Sequence, residues 1–159
     1  MKVALTGHRP QRLNYSELNK DISSEWRKLI NWLKDKIINN NITDVYCGMA
    51  DGCDIAYGIA AMELQKEMAS VKLHCVLPCK NYNRKNVWYK ELKNSADEWI
   101  ELSDEFYKGC DNVRDQYMVD NSDALFAIWD GIKTGGVWST IRKAQKKGID
   151  IIYYPKEEL

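Results

Sequence analysis

The 159 residues suit one domain, and 45% apolar content is enough for one substantial core. Twenty-three Lys and Arg balance twenty-three Asp and Glu. No whole-molecule field therefore draws in a nucleic-acid backbone or an anionic membrane, and any anion site must be local.

In chain order, Lys2 to Thr6 is a short apolar run ending at Gly7, the pattern of a buried first strand. From Ser16 to Asn39, Leu18, Ile22, Trp26, Leu29, Ile30, Leu33 and Ile37 recur at three- and four-residue steps, which predicts one amphipathic helix. Asp44 to Cys47 reads as a second strand. It runs into Gly48-Met49-Ala50-Asp51-Gly52-Cys53-Asp54 and then a helix over Ile55 to Met68. A third strand over Val71 to Leu77 closes at Pro78. A helix over Trp88 to Ala96, a short strand at Trp99 to Leu102 and a helix over Asn112 to Asn121 follow. Ala124 to Trp129 is strongly apolar and leads into Asp130-Gly131-Ile132-Lys133-Thr134-Gly135-Gly136. A helix over Val137 to Lys147 and a last strand at Asp150 to Tyr154 complete the pattern. Strands alternating with helices at this spacing predict an α/β, Rossmann-like single domain over residues 1–159, mostly parallel in its sheet and with helices on both faces.

Several properties limit the function classes. No apolar run approaches the roughly 20 residues that cross a bilayer, and Met1 to Gly7 lacks the apolar stretch of a secretory signal. A cytoplasmic protein without a membrane partner is expected. Cys47, Cys53, Cys75, Cys79 and Cys110 form no paired C-x-x-C framework and fit reduced thiols. His8 and His74 are the only histidines and no four-ligand spacing occurs, so neither a metal nor another required cofactor is expected. Trp26 and Trp32 on the first long helix serve as core or as an apolar face, which leaves a homodimer or higher homo-oligomer open.

In open parallel sheets, ligands collect outside the carboxyl ends of the strands near a switch in strand order. Three loops end strands in that way: Thr6 to Arg12, Gly48 to Asp54, and Asp130 to Thr140. The last two are glycine-bearing and precede helices, so backbone N–H groups and the helix N-terminus favour an anion such as phosphate. Neither matches a dinucleotide fingerprint or a P-loop, and each alone reads equally well as ordinary turn glycines. The first loop places Arg9, Arg12 and His8 directly after a strand. The arginines suit bidentate phosphate recognition, whereas His8 serves equally as a hydrogen-bonded structural residue. Arg114 and Asp120 can face the same cleft, and a ribose hydroxyl suits a carboxylate such as Asp54, Asp120 or Asp130. Trp88, Trp129 and Trp138 lie near loop ends, where an indole can stack on a base.

Four motifs occur in order: Thr6-Gly7-His8-Arg9-Pro10, Gly48-Met49-Ala50-x-Gly52-x-Asp54, Arg114-x-x-Tyr117-Met118-Val119-Asp120, and Trp129-Asp130-Gly131-x-x-x-Gly135-Gly136-x-x-x-Thr140-Ile141-Arg142-x-Ala144. Together they resemble the TGHRP branch of the SLOG superfamily, the YpsA-like relatives of the LOG phosphoribohydrolases and the DprA proteins. The resemblance spans Thr6 to Pro155. It implies a nucleotide-binding Rossmann-like domain with a pocket formed by Thr6 to Arg9, Gly48 to Asp54, Asp130-Gly131 and Gly135-Gly136 to Thr140. One departure bears on catalysis. The LOG enzymes share Pro-Gly-Gly-x-Gly-Thr-x-x-Glu, whereas here the third residue after Thr140 is Lys143. Ile132-Lys133-Thr134 and Val137 also depart from the commoner form, which bears on how an anion would sit.

The leading expectation is therefore sensing or sequestration of a nucleotide or nucleotide-derived small molecule. The expected ligand-binding residues are Thr6, Gly7, His8, Arg9, Arg12, Gly48, Met49, Ala50, Gly52, Asp54, Arg114, Asp130, Gly131, Gly135, Gly136 and Thr140. The alternative is an N-glycosidase, a hydrolase acting on a nucleoside monophosphate or related ribosyl phosphate. Such a reaction passes through an oxocarbenium-like state, for which Asp54, Asp120 or Asp130 would supply the carboxylate. A DNA-linked role, as in the DprA proteins, fits poorly with the neutral charge balance.

Overall fold

The computed structural model describes residues 1–68 and 70–159. Strand β1 (Lys2–Gly7) leads through a one-turn helix, α1 (Pro10–Leu13), to α2 (Ser24–Asn39). Next come β2 (Asp44–Cys47), α3 (Cys53–Glu67), β3 (Lys72–Leu77), α4 (Tyr89–Ser95) and β4 (Glu98–Glu101). Helix α5 (Cys110–Asp120), β5 (Ala124–Ile128), α6 (Gly135–Lys147) and β6 (Asp150–Tyr153) follow, with a 3-10 turn at Lys156–Glu158. The strands form one six-stranded sheet in the order β4-β3-β2-β1-β5-β6, and every neighbouring pair is parallel. This is the Rossmann-like α/β single domain that the alternating pattern predicts. No helix among the described residues is long and apolar enough to cross a membrane.

Alternation along the strands divides the interior into two layers, because successive side chains of a strand point to opposite faces. Val3 and Leu5 of β1, Val45 and Cys47 of β2, and Phe126 and Ile128 of β5 join the larger core, which also holds Trp26 and Leu33 of α2 and Ile59 of α3. Ala4, Tyr46, Leu125 and Ala127 face the other way, towards Met118 of α5 and Ile141 of α6. Helix α3 is buried from Cys53 through Met62, as expected of a helix that packs on β1, β2 and β3 and is flanked by α2 and α4.

The first long helix begins at Ser24, eight residues later than its apolar spacing suggests. Leu18 is nonetheless buried, and the indole of Trp26 donates to the carbonyl of Ser16 at 2.7 Å, so the Ser16–Ser23 segment folds back over the helix start. Helical spacing is satisfied there by packing in an irregular chain. Ser23, in an extended conformation with Glu25 just beyond it, marks the true start. Trp26 is fully buried and Trp32 packs edge-on against Phe126 and Tyr154, so both serve the core.

The winding determines where a ligand can sit. The chain steps from β1 outward to β4 and then returns to the opposite flank of β1 as β5. Thr6 pairs with Ala127 and Gly7 with Ile128, so β1 and β5 end at the same level and their loops leave towards opposite faces. A crevice opens between them, at the switch point of the sheet.

Candidate functional site

A cavity of about 510 Å³ occupies this crevice. Its walls come from the β1 loop, from Ala50 and Asp54 at the start of α3, from Asp111, Arg114 and Asp115 on α5, and from Gly136 and Val137 at the start of α6.

The β1 loop is built for close approach. A Cβ on Gly7 would lie 2.4 Å from the Cβ of Cys53, so glycine lets the first turn of α3 press against the strand end. His8 follows, only 3% exposed. Burial, and then the neighbouring Arg12 guanidinium, hold its pKa below the ordinary value. The Asp130 N–H donates to His8 Nε2 at 3.2 Å. A neutral ring accepting there carries its proton on Nδ1, so the 3.2 Å approach of Nε2 to the Asp130 carboxylate is not an ion pair.

Arg12 clamps the two switch-point loops together. It donates to Asp130 from Nε at 2.8 Å and from Nη2 at 3.2 Å, and to the carbonyl of Thr134 at 3.1 Å. Those bonds, Arg12 first, drive the Asp130 carboxyl down to about 2. Asp130 is thus a fixed carboxylate engaged in architecture. A Cβ on Gly135, whose φ is 85°, would fall 2.9 Å from Arg12 Nη1.

The second loop supports a buried charge cluster. A Cβ on Gly48 would lie 2.7 Å from Asp54 Oδ2 and 3.0 Å from Arg114 Nη1, so only glycine lets this pair stack on the end of β2. Arg114 donates to Asp115 at 2.7 Å and to the carbonyl of Gly48, and its guanidinium lies 5.7 Å from the ring centre of Tyr82. With Asp115 as its committed partner, Arg114 offers Asp54 only a through-space attraction. Burial wins, and the Asp54 carboxyl, 7% exposed, is pushed up to about 6 against the pull of Arg114. Tyr82 also accepts from Arg9 Nη2 at 3.2 Å, so one phenol steadies both guanidinium groups. Met49 sits in this loop at φ 65°, fully buried, a conformation L residues rarely adopt.

Helix α6 opens on Thr134, whose side chain makes no cap hydrogen bond. The N–H groups of Gly135 and Gly136 find no backbone acceptor among the described residues, and a Cβ on Gly136 would meet open space. With Arg12 committed to Asp130 and Arg114 to Asp115, Arg9 is the uncompensated cation of the cavity. Asp111 is its counterpart: it forms no ion pair among the described residues, and its Oδ1 is buried without a hydrogen-bond partner. The cavity therefore pairs an anion pole with the Asp111 carboxylate in its wall.

Residues 3–154 match the family model YpsA, described as the YspA SLOG family. The chain belongs to this family. It is also similar to a curated protein of Bacillus subtilis (strain 168), the "Uncharacterized SPbeta prophage-derived protein YoqJ", at 28% identity over 125 residues, 68% of this chain and 73% of the relative.

The family motifs converge only in part. Thr6, Gly7, His8, Arg9, Arg12, Ala50, Asp54, Arg114 and Gly136 line the cavity. Gly48 and buried Met49 stand behind it. Gly52, at φ 92°, lines a neighbouring cleft, where a Cβ would meet Pro10 at 2.8 Å. Gly131 packs against Lys156, and Thr140 is buried with its hydroxyl donating to the Gly136 carbonyl at 3.0 Å. Asp120 is exposed near the end of α5, takes a hydrogen bond from Gln116, and lines a separate groove. Gln11 and Val137 fall inside loops expected from the sequence, whereas the wall residues Leu5, Asp111 and Asp115 lie outside them. Only the i, i+4 spacing of Asp111 and Asp115 around Arg114 signals a shared face.

Proposed function

We propose that the cavity binds a phosphate-bearing, nucleotide-derived small molecule. The observation that carries this reading is the pairing, in the walls of one cavity, of Arg9 and the open N-terminus of α6 with Asp111, a carboxylate that forms no ion pair among the described residues. A phosphate suits the first pole, because a guanidinium and free helix N-terminal N–H groups line the same cavity. A ribose hydroxyl suits the second, because a carboxylate in the wall accepts strongly from a hydroxyl. Family membership supports a nucleotide-related role.

Calorimetric titration with a panel of nucleotides and ribosyl phosphates tests the reading. Binding by at least one member is expected, weakened about tenfold to a hundredfold by Arg9→Ala, the loss of one charge-assisted contact. Arg9 is exposed and the one side-chain hydrogen bond it makes among the described residues goes to Tyr82, so the fold should survive the change. A panel without binding, or binding indifferent to Arg9→Ala, refutes it.

A second reading, N-glycosidic hydrolysis, is favoured by Asp54. A buried carboxyl with a pKa of about 6 keeps enough of the acid form near neutrality to protonate a leaving base. Asp111 would then be the carboxylate facing the developing positive charge. Chromatographic release of free base, abolished by Asp54→Asn while binding persists, distinguishes an enzyme from a binding module.

A further inference from the structure

We infer that the ligand continues out of the cavity along α6, where a basic groove receives a further phosphate and a second base. The preferred ligand is then a dinucleotide. This rests on the nucleotide reading above and extends it to a second subsite.

The groove lies between α5 and α6 and has a volume of about 760 Å³. Gly135 lines the groove and Gly136 lines the cavity. Their Cα atoms are about 3.8 Å apart, so the two sites meet at the first turn of α6. From there Trp138, Arg142 and Lys146 recur at four-residue steps along one side of the helix. The buried side of the same helix is Val137, Thr140, Ile141 and Ala144. Arg142 stands about 9 Å of helix rise from Gly136, and Lys146 about 6 Å farther on.

The charge pattern departs from that of an ordinary solvated helix face, which mixes signs in i, i+4 pairs. Residues 133–147 carry Lys133, Arg142, Lys143, Lys146 and Lys147 and no Asp or Glu, within a chain whose total charge is zero. None of the five enters an ion pair among the described residues. Two have evident structural work. Lys147 donates to the carbonyls of Val119, Asp120 and Ser122 at the end of α5, and Lys143 to Asn112 and Ser139.

Arg142 and Lys146 have no such employment. The one carboxylate of the groove, Asp120, already accepts from Gln116 at 2.8 Å. Trp138 adds an aromatic surface, stacked on Trp129 with ring centres 5.3 Å apart and 11° between planes. Two cations without an ion pair among the described residues, beside a half-buried indole stack over which Lys133 lies 5.3 Å from the Trp138 ring centre, are the elements that hold a phosphate and a base.

The test compares the full chain with Arg142→Ala/Lys146→Ala and, separately, Trp138→Leu, using adenosine 5′-monophosphate and diadenosine 5′,5′-diphosphate as probes. For the wild type, the dinucleotide should bind at least about tenfold more tightly than the mononucleotide. That ratio should collapse towards one in both variants, each checked for an unchanged unfolding transition. Raising salt from about 50 to about 200 mM should weaken the dinucleotide more than the mononucleotide. A wild-type ratio near one overturns the inference and leaves the cavity reading standing. Equal loss for both probes in Arg142→Ala/Lys146→Ala also overturns it, because the groove then acts only as a general field. Failure of both probes to bind overturns the inference, while the cavity reading falls only if the wider panel also fails. A deoxyadenylate oligomer that binds the groove with undiminished affinity in Arg9→Ala overturns it too, making the groove a nucleic-acid surface independent of the cavity.

Discussion

Replacing Asp54 by asparagine asks which of two opposed effects governs the cavity floor, burial or the Arg114 charge. The Asp54 pKa is about 6 in the folded protein against an ordinary 3.8. The gap of 6 − 3.8 = 2.2 corresponds to about 3 kcal/mol at ~1.36 kcal/mol per pH unit. For the sign, the folded state holds this proton more tightly than the unfolded chain. The associated stability is present in full below pH 3.8, is lost as pH rises to about 6, and stays lost above that. Asparagine carries no charge at any of these values and keeps an oxygen that can accept from the Ala50 N–H, as Oδ2 of Asp54 now does at 3.2 Å. The stability of Asp54→Asn minus that of the wild type should therefore climb by up to about 3 kcal/mol between pH 4 and pH 6 and then level off. Urea unfolding of both proteins across that range measures the difference directly, and taking the difference cancels the other carboxylates. A flat difference would show that Arg114 offsets burial in full, and one that falls as pH rises that it outweighs burial; either would remove the acid assignment for Asp54.

The glycines make separable predictions. Gly7→Ala should cost about 1–3 kcal/mol by thermal or urea unfolding, because its Cβ meets Cys53 at 2.4 Å in a region with no room to relax. Gly136→Ala, with open space around the new methyl group and an unstrained φ, should leave stability within about 1 kcal/mol while weakening ligand binding, since the methyl group projects where Gly136 now lines the cavity. Arg12→Ala should destabilise by about 1–2 kcal/mol at neutral pH. Asp130, held at about 2, contributes stability above its ordinary 3.8 that disappears as pH falls through about 2, so the difference between Arg12→Ala and wild type should shrink in acid. A difference independent of pH would show that the Arg12–Asp130 clamp is not the source.

The parts of the fold visible in the sequence are those set by local periodicity. Apolar runs such as Ala124 to Ile128 announce buried parallel strands, and their alternation with helices implies the layered sheet. The false start of the first helix at Ser16 shows the limit. Leu18 is buried by a loop folding over Trp26, a tertiary event with helical spacing and no helix. The site divides along the same line. Residues next to the strand ends in sequence, such as Arg9 and Gly136, are legible because the sheet brings all carboxyl ends to one edge. Asp111 and Asp115 flank Arg114, which the sequence did point to, on a helix that reaches the crevice through packing of α5 against α6, and no local pattern tells which of its carboxylates turn inward.

Commitment of charges is equally hidden from a linear reading. Arg9 and Arg12 look interchangeable as phosphate ligands, yet Arg12 is tied to Asp130 and the Thr134 carbonyl while Arg9 rests only against a tyrosine hydroxyl. Asp54 and Asp130 look like equivalent acids, yet one is pushed up to about 6 and the other down to about 2. Both separations have the same cause. The Arg12–Asp130 pair neutralises itself in joining the switch-point loops, and Arg114 is drawn off by Asp115. What remains in the walls of the cavity is one uncompensated guanidinium, one carboxyl poised near neutrality and the Asp111 carboxylate. The chemistry available to a ligand is set by the charges left over after the fold has taken its own.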